Sequence, residues 1–228
     1  MAARTRRWVL PILIFLASAL TLACDPIGAG YFLFGPEPRT DPEIAIAPKE
    51  SSRKVRVVVL THGGLETRPE LSGADRELNR KLCHHLIEGY KHNEEHVAVV
   101  PPAKVEQFKA DTPNWRTLDF RNDIGKHFDA DYVIFLEIET LSLYQTGSGN
   151  TLFHGKALVH ASVINVYDPD GDVTSKPFTC DFPSESRGDI AVGDMTIGQF
   201  REQFLDYAAK RLSWLFVAHP IEDGYKCD

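Results

Sequence analysis

Four sets of residues in this chain have types and spacings that could do chemistry. Glu137, Glu139 and His160 meet on one face if the segments carrying them pair as a hairpin, and two carboxylates beside an imidazole can move protons. His84 and His85 are adjacent, and His92 and His96 stand four apart, the spacing that sets two imidazoles on one face of a helix as zinc or copper ligands. His62-Gly63-Gly64 follows an apolar run and could offer backbone N–H groups to an oxyanion. Asp168, Asp170 and Asp172 alternate as in the start of a calcium loop.

Each has a plainer reading. A half-buried strand pair puts polar residues on its outer face anyway, which accounts for Glu137, Glu139 and His160. Gly89 and Asn93 signal that the helix carrying His92 is ending, so His96 falls beyond it. A His-Gly-Gly turn is similar to the oxyanion loop of lipases, but their nucleophile elbow, G-x-S-x-G, occurs nowhere in the chain. A calcium loop needs glycine sixth and glutamate twelfth; counting from Asp168, Gly171 is fourth and Thr179 twelfth, so Asp168-Pro169-Asp170-Gly171 reads as a hairpin turn. The expectation is a protein that is not an enzyme, with no metal, no cofactor and no catalytic residue. The alternative is an exported hydrolase or metal-dependent enzyme using the histidine-rich surface.

Cys24 carries a different kind of chemistry. Arg4, Arg6 and Arg7 precede a mostly apolar run from Trp8 to Leu22, and Ala23 stands before the cysteine. Basic head, apolar stretch and small residue form a secretory signal, too short for a good membrane span. The segment resembles a bacterial lipoprotein signal, although Thr21 stands where that family prefers leucine. The resemblance implies removal of residues 1–23 and lipidation of Cys24, which would anchor the domain to a membrane outside the cytoplasm. Two or three acyl chains hold firmly where one is marginal.

The chain has 25 Lys and Arg against 32 Asp and Glu; without the three signal arginines the balance is 22 − 32 = −10. Such an acidic body is unsuited to nucleic acid or anionic headgroups, so the lipid is expected to make the membrane contact. Residues 24–52, with five prolines, read as a tether, and residues 53–220 as one domain followed by a tail at 221–228. Cys83, Cys180 and Cys227 allow one disulfide among three pairings in an oxidising compartment, and none has zinc-like spacing.

The elements that must position these residues follow from periodicity. Val55 to Leu60 is a continuous apolar run suited to a strand covered on both faces. Ser72 with Asp75 reads as a capping box for a helix whose inner stripe is Leu78, Leu82, Leu86 and Tyr90, with Cys83 and Ile87 beside it. A strand at 97–100, a short helix at 103–110 and a second helix from Trp115 to His127 follow. Tyr132 to Leu136 is a central strand. It is joined through Gly147-Ser148-Gly149-Asn150 to one whose Ala157, Val159, Ala161 and Val163 share a face, and a bulge is expected near Thr140-Leu141. Pro177 marks the following strand as a sheet edge. Thr196 with Gln199 caps a last helix with Ile197, Phe200, Phe204, Ala208, Leu212 and Leu215 inward. The order strand-helix-strand-helix-strand-strand-strand-helix gives a single mixed-sheet α/β domain with helices packed on the sheet.

That order, with Ile124-Gly125-Lys126-His127-Phe128-Asp129-Ala130-Asp131-Tyr132-Val133-Ile134, resembles an α/β domain found in bacterial envelopes. It is similar to the curli-secretion lipoprotein, the amino-terminal domain of the Tol translocation protein and lipoprotein activators of penicillin-binding proteins. The resemblance implies a non-enzymatic domain that docks other envelope proteins or assembles with itself. His62, Arg68, Trp115 and Tyr144, on loops and a hairpin tip, are the candidate partner-binding residues.

Overall fold

The computed structural model describes residues 38–46, 54–64, 68–168, 171–184 and 188–221. Cys24, Cys227, the signal and most of the tether lie outside them. The chain divides into two units, one of Met1–Arg39 with Pro220–Asp228 and one of Thr40–His219. In the described part of the first, Ile221 N donates to Pro38 O (3.2 Å). All that follows concerns the second.

Strand β1 (Val55–Gly63) buries Val57, Val58, Val59 and Leu60 completely. Successive strand residues point to opposite faces, so four buried in a row require cover on both. Helix α1 (Ala74–His92) leads to the short strand β2 (Val97–Val99) and helix α2 (Pro102–Asp111). Strands β3 (Tyr132–Tyr144), β4 (Leu152–Asn165) and β5 (Thr174–Phe182) follow, then the two-residue β6 (Ile190–Ala191) and helix α3 (Ile197–Ser213). The sheet order is β2-β1-β3-β4-β5, with β6 paired to the start of β4. β1 is parallel to β2 and β3, whereas β3, β4 and β5 are antiparallel. This is the expected mixed α/β sheet, with β5 and its Pro177 at the edge.

α1 and α3 cover one face. Leu78, Leu82, Leu86, Phe200, Phe204, Ala208 and Leu212 pack on Val57, Val59, Ile134, Leu136 and Val159. Gly155 makes this close approach workable, since a Cβ there would lie 2.5 Å from Phe204 Cδ2. Among the described residues the other face is covered only over β1, the start of β3 and the end of β4, where Val105, Trp115, Ile124 and Phe128 pack on Val58, Leu60, Val133 and Ile164. Among the described residues no helix is long and apolar enough to cross a membrane.

Several local expectations are corrected. α1 starts at Ala74 with Gly73 as N-cap at φ 70°, and Ser72 makes no capping bond. The left-handed turn that glycine permits sets the start, and Ser72 instead offers its carbonyl to Arg201 Nη2 (3.0 Å). The helix expected over 115–127 is broken into a 3-10 turn, Trp115–Thr117, and a π-helical segment, Phe120–Gly125. Leu118 between them is extended, and Asp119 restarts the chain by accepting from Arg121 N (2.7 Å) and Asn122 N (3.0 Å). Ile87 and Ile197 are exposed (46% and 37%) rather than inward. The Thr196–Gln199 capping box is present. The register slip between Ile138 and Thr140 lies one residue from the expected bulge.

Candidate functional site

β1 and β3 bring His62 opposite Glu137, and β3 and β4 bring Glu137 opposite His160. Residues paired across a sheet share a face, so the three form a lateral row at strand spacing, about 4.8 Å per step. The row lies just past the helical cover, where Glu137 is exposed and His62 and His160 are half-buried. His160 Nε2 meets Glu139 Oε1 at 3.0 Å. The carboxylates and imidazole expected together are therefore together, on an open polar face.

Trp115 supports one end of this row. It is 6% exposed, a core residue, and packs edge-on to His62 (6.3 Å between centroids), Phe120 and Phe135. Lys109 Nζ lies 5.6 Å from its ring centroid, donates to Thr61 O (3.1 Å) and pairs with Glu106 (2.8 Å). Burial, then the charge of Arg116, lowers the His62 pKa below 6.5, while Glu137 pulls the other way. At neutral pH the imidazole is uncharged beside a carboxylate, able to accept a proton or donate a lone pair.

The other two candidates lie elsewhere. Arg68 is exposed at the head of the 3-10 turn Pro69–Leu71, and residues 65–67 before it are outside the described set. Tyr144 sits on the face of α1 and α3, stacked on Phe153 (5.4 Å), which stacks on Phe200 (4.7 Å). It lines an open pocket of about 580 Å³ with Val192, Met195, Thr196 and Ile197, at the amino-terminal end of α3. His62 and Trp115 thus form one neighbourhood, while Tyr144 belongs to a second.

Sequence reasoning missed His154, whose Nδ1 meets Asp189 (2.8 Å) and whose Nε2 meets Asp181 (3.4 Å). The even positions of β4 (His154, Lys156, His160) gave a signal for it, but Asp189 is close only because the chain returns as β6. His92 ends α1 and Glu94 turns left-handed at φ 57°, so His92 and His96 share no helical face. Among the described residues no group of three or more His, Cys, Asp or Glu is placed to hold a metal ion. Cys83 and Cys180 are buried and free, and burial pushes both thiols up to about 12, which removes them as nucleophiles at neutral pH. Arg121 fastens the β4–β5 turn by donating to Asn165 O (3.2 Å) and Gly171 O.

No protein-family model matches the chain, and no curated protein matches it. Solved structures do. A PelC dodecamer from Paraburkholderia phytofirmans, in a single-residue variant form, is 19% identical, with 80% of this chain and 98% of that one covered, at a TM-score of 0.41. A DUF330 protein, XCC0632 of Xanthomonas campestris, is 13% identical over 75% and 83%, at 0.38. Lipoprotein GNA1162 of Neisseria meningitidis is 14% identical over 66% and 96%, at 0.33. Likenesses this loose decide neither activity nor partner.

Proposed function

We propose that this chain is a lipid-anchored cell-envelope protein whose 53–220 domain docks or assembles envelope proteins without catalysing a reaction. The observation that carries the reading is the order of basic head, apolar stretch and Cys24 ahead of an acidic domain. The domain offers two surfaces suited to it: the open polar half of the sheet beside His62, and the pocket beside Tyr144 with half-exposed Val192 and Ile197 at its rim. Trp115 backs His62 from within. A second copy of the chain is among the partners this reading includes. Photo-crosslinkers placed at Tyr144 and at His62 in intact cells test it. Reproducible adducts to an envelope protein are expected, and recovery of monomer alone from both positions sinks it.

The second reading is an exported hydrolase or metal-dependent enzyme using the histidine-rich surface, for which the row His62–Glu137–His160 supplies imidazoles beside a carboxylate but no set of metal ligands among the described residues. Elemental analysis of the purified full chain, followed by His160→Ala, separates the two. Stoichiometric zinc or copper lost in the variant favours the enzyme, and metal-free protein removes its support.

A further inference from the structure

α1 and α3 lie parallel on the sheet. Arg201 meets Glu77 near their amino-terminal ends (3.0 Å), and Asp206 meets Lys81 and His85 one turn on (3.7 and 3.2 Å). Tyr90 Oη donates to Phe216 O at the far end (3.4 Å). The outer side of this layer is exposed, and its two stripes differ in charge. On α1 the stripe runs through Arg76, Arg80, His84, Ile87, Glu88 and Lys91, and on α3 through Glu202, Gln203, Asp206 and Lys210. Arg76 is taken by Glu106 (3.1 Å), and the Lys210 ammonium stands 5.8 Å from the Trp214 ring centroid. Among the described residues Arg80, Glu88, Glu202 and Lys210 are in no ion pair.

Helix stability does not account for the α1 stripe. Arg76 and Arg80 stand four apart, where like charges repel, and both lie in the first two turns, against the helix dipole. Asp75 and Glu77 answer the dipole from the first turn, but Glu77 is drawn sideways to Arg201. Ile87 sits within the stripe, 46% exposed.

A basic stripe beside an acidic one can match a rotated copy of itself. Of the two-fold axes lying in such a face, one set across the helices lays α1 on the partner's α1, cation on cation. An axis along the helices lays α1 on the partner's α3 and keeps every level. Arg80 falls between the levels of Arg201 and Asp206, opposite the partner's Glu202. Two turns further on, Glu88 falls opposite the partner's Lys210. Each contact then occurs twice, as an isologous interface requires. The layer is about 25 Å long and about 20 Å across two helices, so it covers roughly 500 Å² a copy. The total of about 1,000 Å² is the lower bound for a specific interface.

We infer that a second copy of this chain sits on the outer side of α1 and α3, about a two-fold axis parallel to them, with Arg80 on the partner's Glu202 and Glu88 on the partner's Lys210. This pairing rests on the reading of a domain that assembles, and it uses neither the surface at His62 nor the pocket at Tyr144. The same axis keeps both chain entries, where Ile44 N donates to Leu215 O (2.8 Å), at one end of the pair. Two copies anchored in one bilayer need that arrangement.

Sedimentation equilibrium tests it on the full mature chain as Cys24→Ser, so that lipid does not drive association. A monomer–dimer equilibrium is expected. Arg80→Glu and Glu202→Arg each set like charges against one another across the axis, and each is expected to weaken the dimer at least about tenfold. An equimolar mixture of the two variants pairs Glu with Arg at both contacts and is expected to recover the dimer, as is the double variant. Damage to the fold of either variant could not produce that recovery. A wild-type chain that stays monomeric at every concentration overturns the inference. So does a dimer indifferent to both substitutions, or a mixture that stays monomeric. Retrieval of a different, acidic protein through Arg80 by a chain monomeric on its own also overturns it. Adducts at His62 and Tyr144 in intact cells report on docking separately, so either reading can fail alone.

Discussion

Arg201 of α3 and Glu77 of α1 form an ion pair, Nη2 to Oε2 3.0 Å, that ties the two helices together at their amino-terminal ends. The same guanidinium donates to Glu70 O (3.1 Å) and Ser72 O (3.0 Å), so one side chain also holds the turn that sets the start of α1. Charge-assisted bonds to backbone carbonyls have a fixed geometry, which distinguishes this site from an ordinary surface pair. Arg201→Ala is expected to lower unfolding stability by about 1–2 kcal/mol in urea titration, and Glu77→Gln by less, because the carbonyl contacts survive it. Equal losses in the two variants would show that the carbonyl contacts contribute nothing.

Gly155 leaves no room for a methyl group. With Phe204 Cδ2 at 2.5 Å from an added Cβ, Gly155→Ala must push α3 off the sheet or twist the ring, at a cost of about 1–3 kcal/mol. Adding Phe204→Leu is expected to recover part of that loss. Thermal unfolding of the two single variants and the double reads the coupling, and strict additivity would mean the side chains never meet.

His62 is expected to titrate below 6.5, since burial and Arg116 both disfavour its charged form. The two neighbours give opposite signs: Arg116→Ala raises the pKa and Glu137→Gln lowers it. A histidine depressed in the fold contributes stability above its unfolded pKa that is lost as pH falls below about 6.5. Imidazole proton shifts followed by NMR check both signs. Movement in the same direction in the two variants contradicts the row across β1 and β3.

Cys83 and Cys180 have thiols raised from 9.0 to about 12. The folded state favours the protonated form, so this contribution is complete below about 9 and falls away as pH rises towards 12. At pH 8 a thiol-specific disulfide reagent is expected to label both only after unfolding. Prompt labelling of either in folded protein would contradict its burial.

Wherever neighbours in sequence decide the structure, this fold is legible from residues. The all-apolar run at Val57–Leu60 implied cover on both faces, Ala157, Val159 and Ala161 implied one buried face, and Thr196 with Gln199 implied a cap. The misreadings arise where a distant segment decides. Ser72 looks like a cap until Arg201 claims its carbonyl, and the 115–127 stretch looks continuous until Leu118 takes up extended backbone against the second core cluster. At the candidate site, Glu137, Glu139 and His160 were legible because strand pairing is periodic. The place of His62 in their row depends on the parallel register of β1, which no local pattern encodes. The stacking of His219 on Trp214, 4.5 Å between ring centroids, escaped for the same reason, since His219 reaches the indole only after the chain turns back.

Among the described residues both faces of the sheet are covered over its parallel half and one over most of its hairpin half. Val58 and Leu60 lie under side chains on both sides, while Glu137 is exposed and His160 half-buried on the open face. In deuterium oxide the outer ladder is therefore expected to open and exchange first, with β1 persisting as the last protected strand. A body built this way can loosen the margin it offers to others while its centre stays shut.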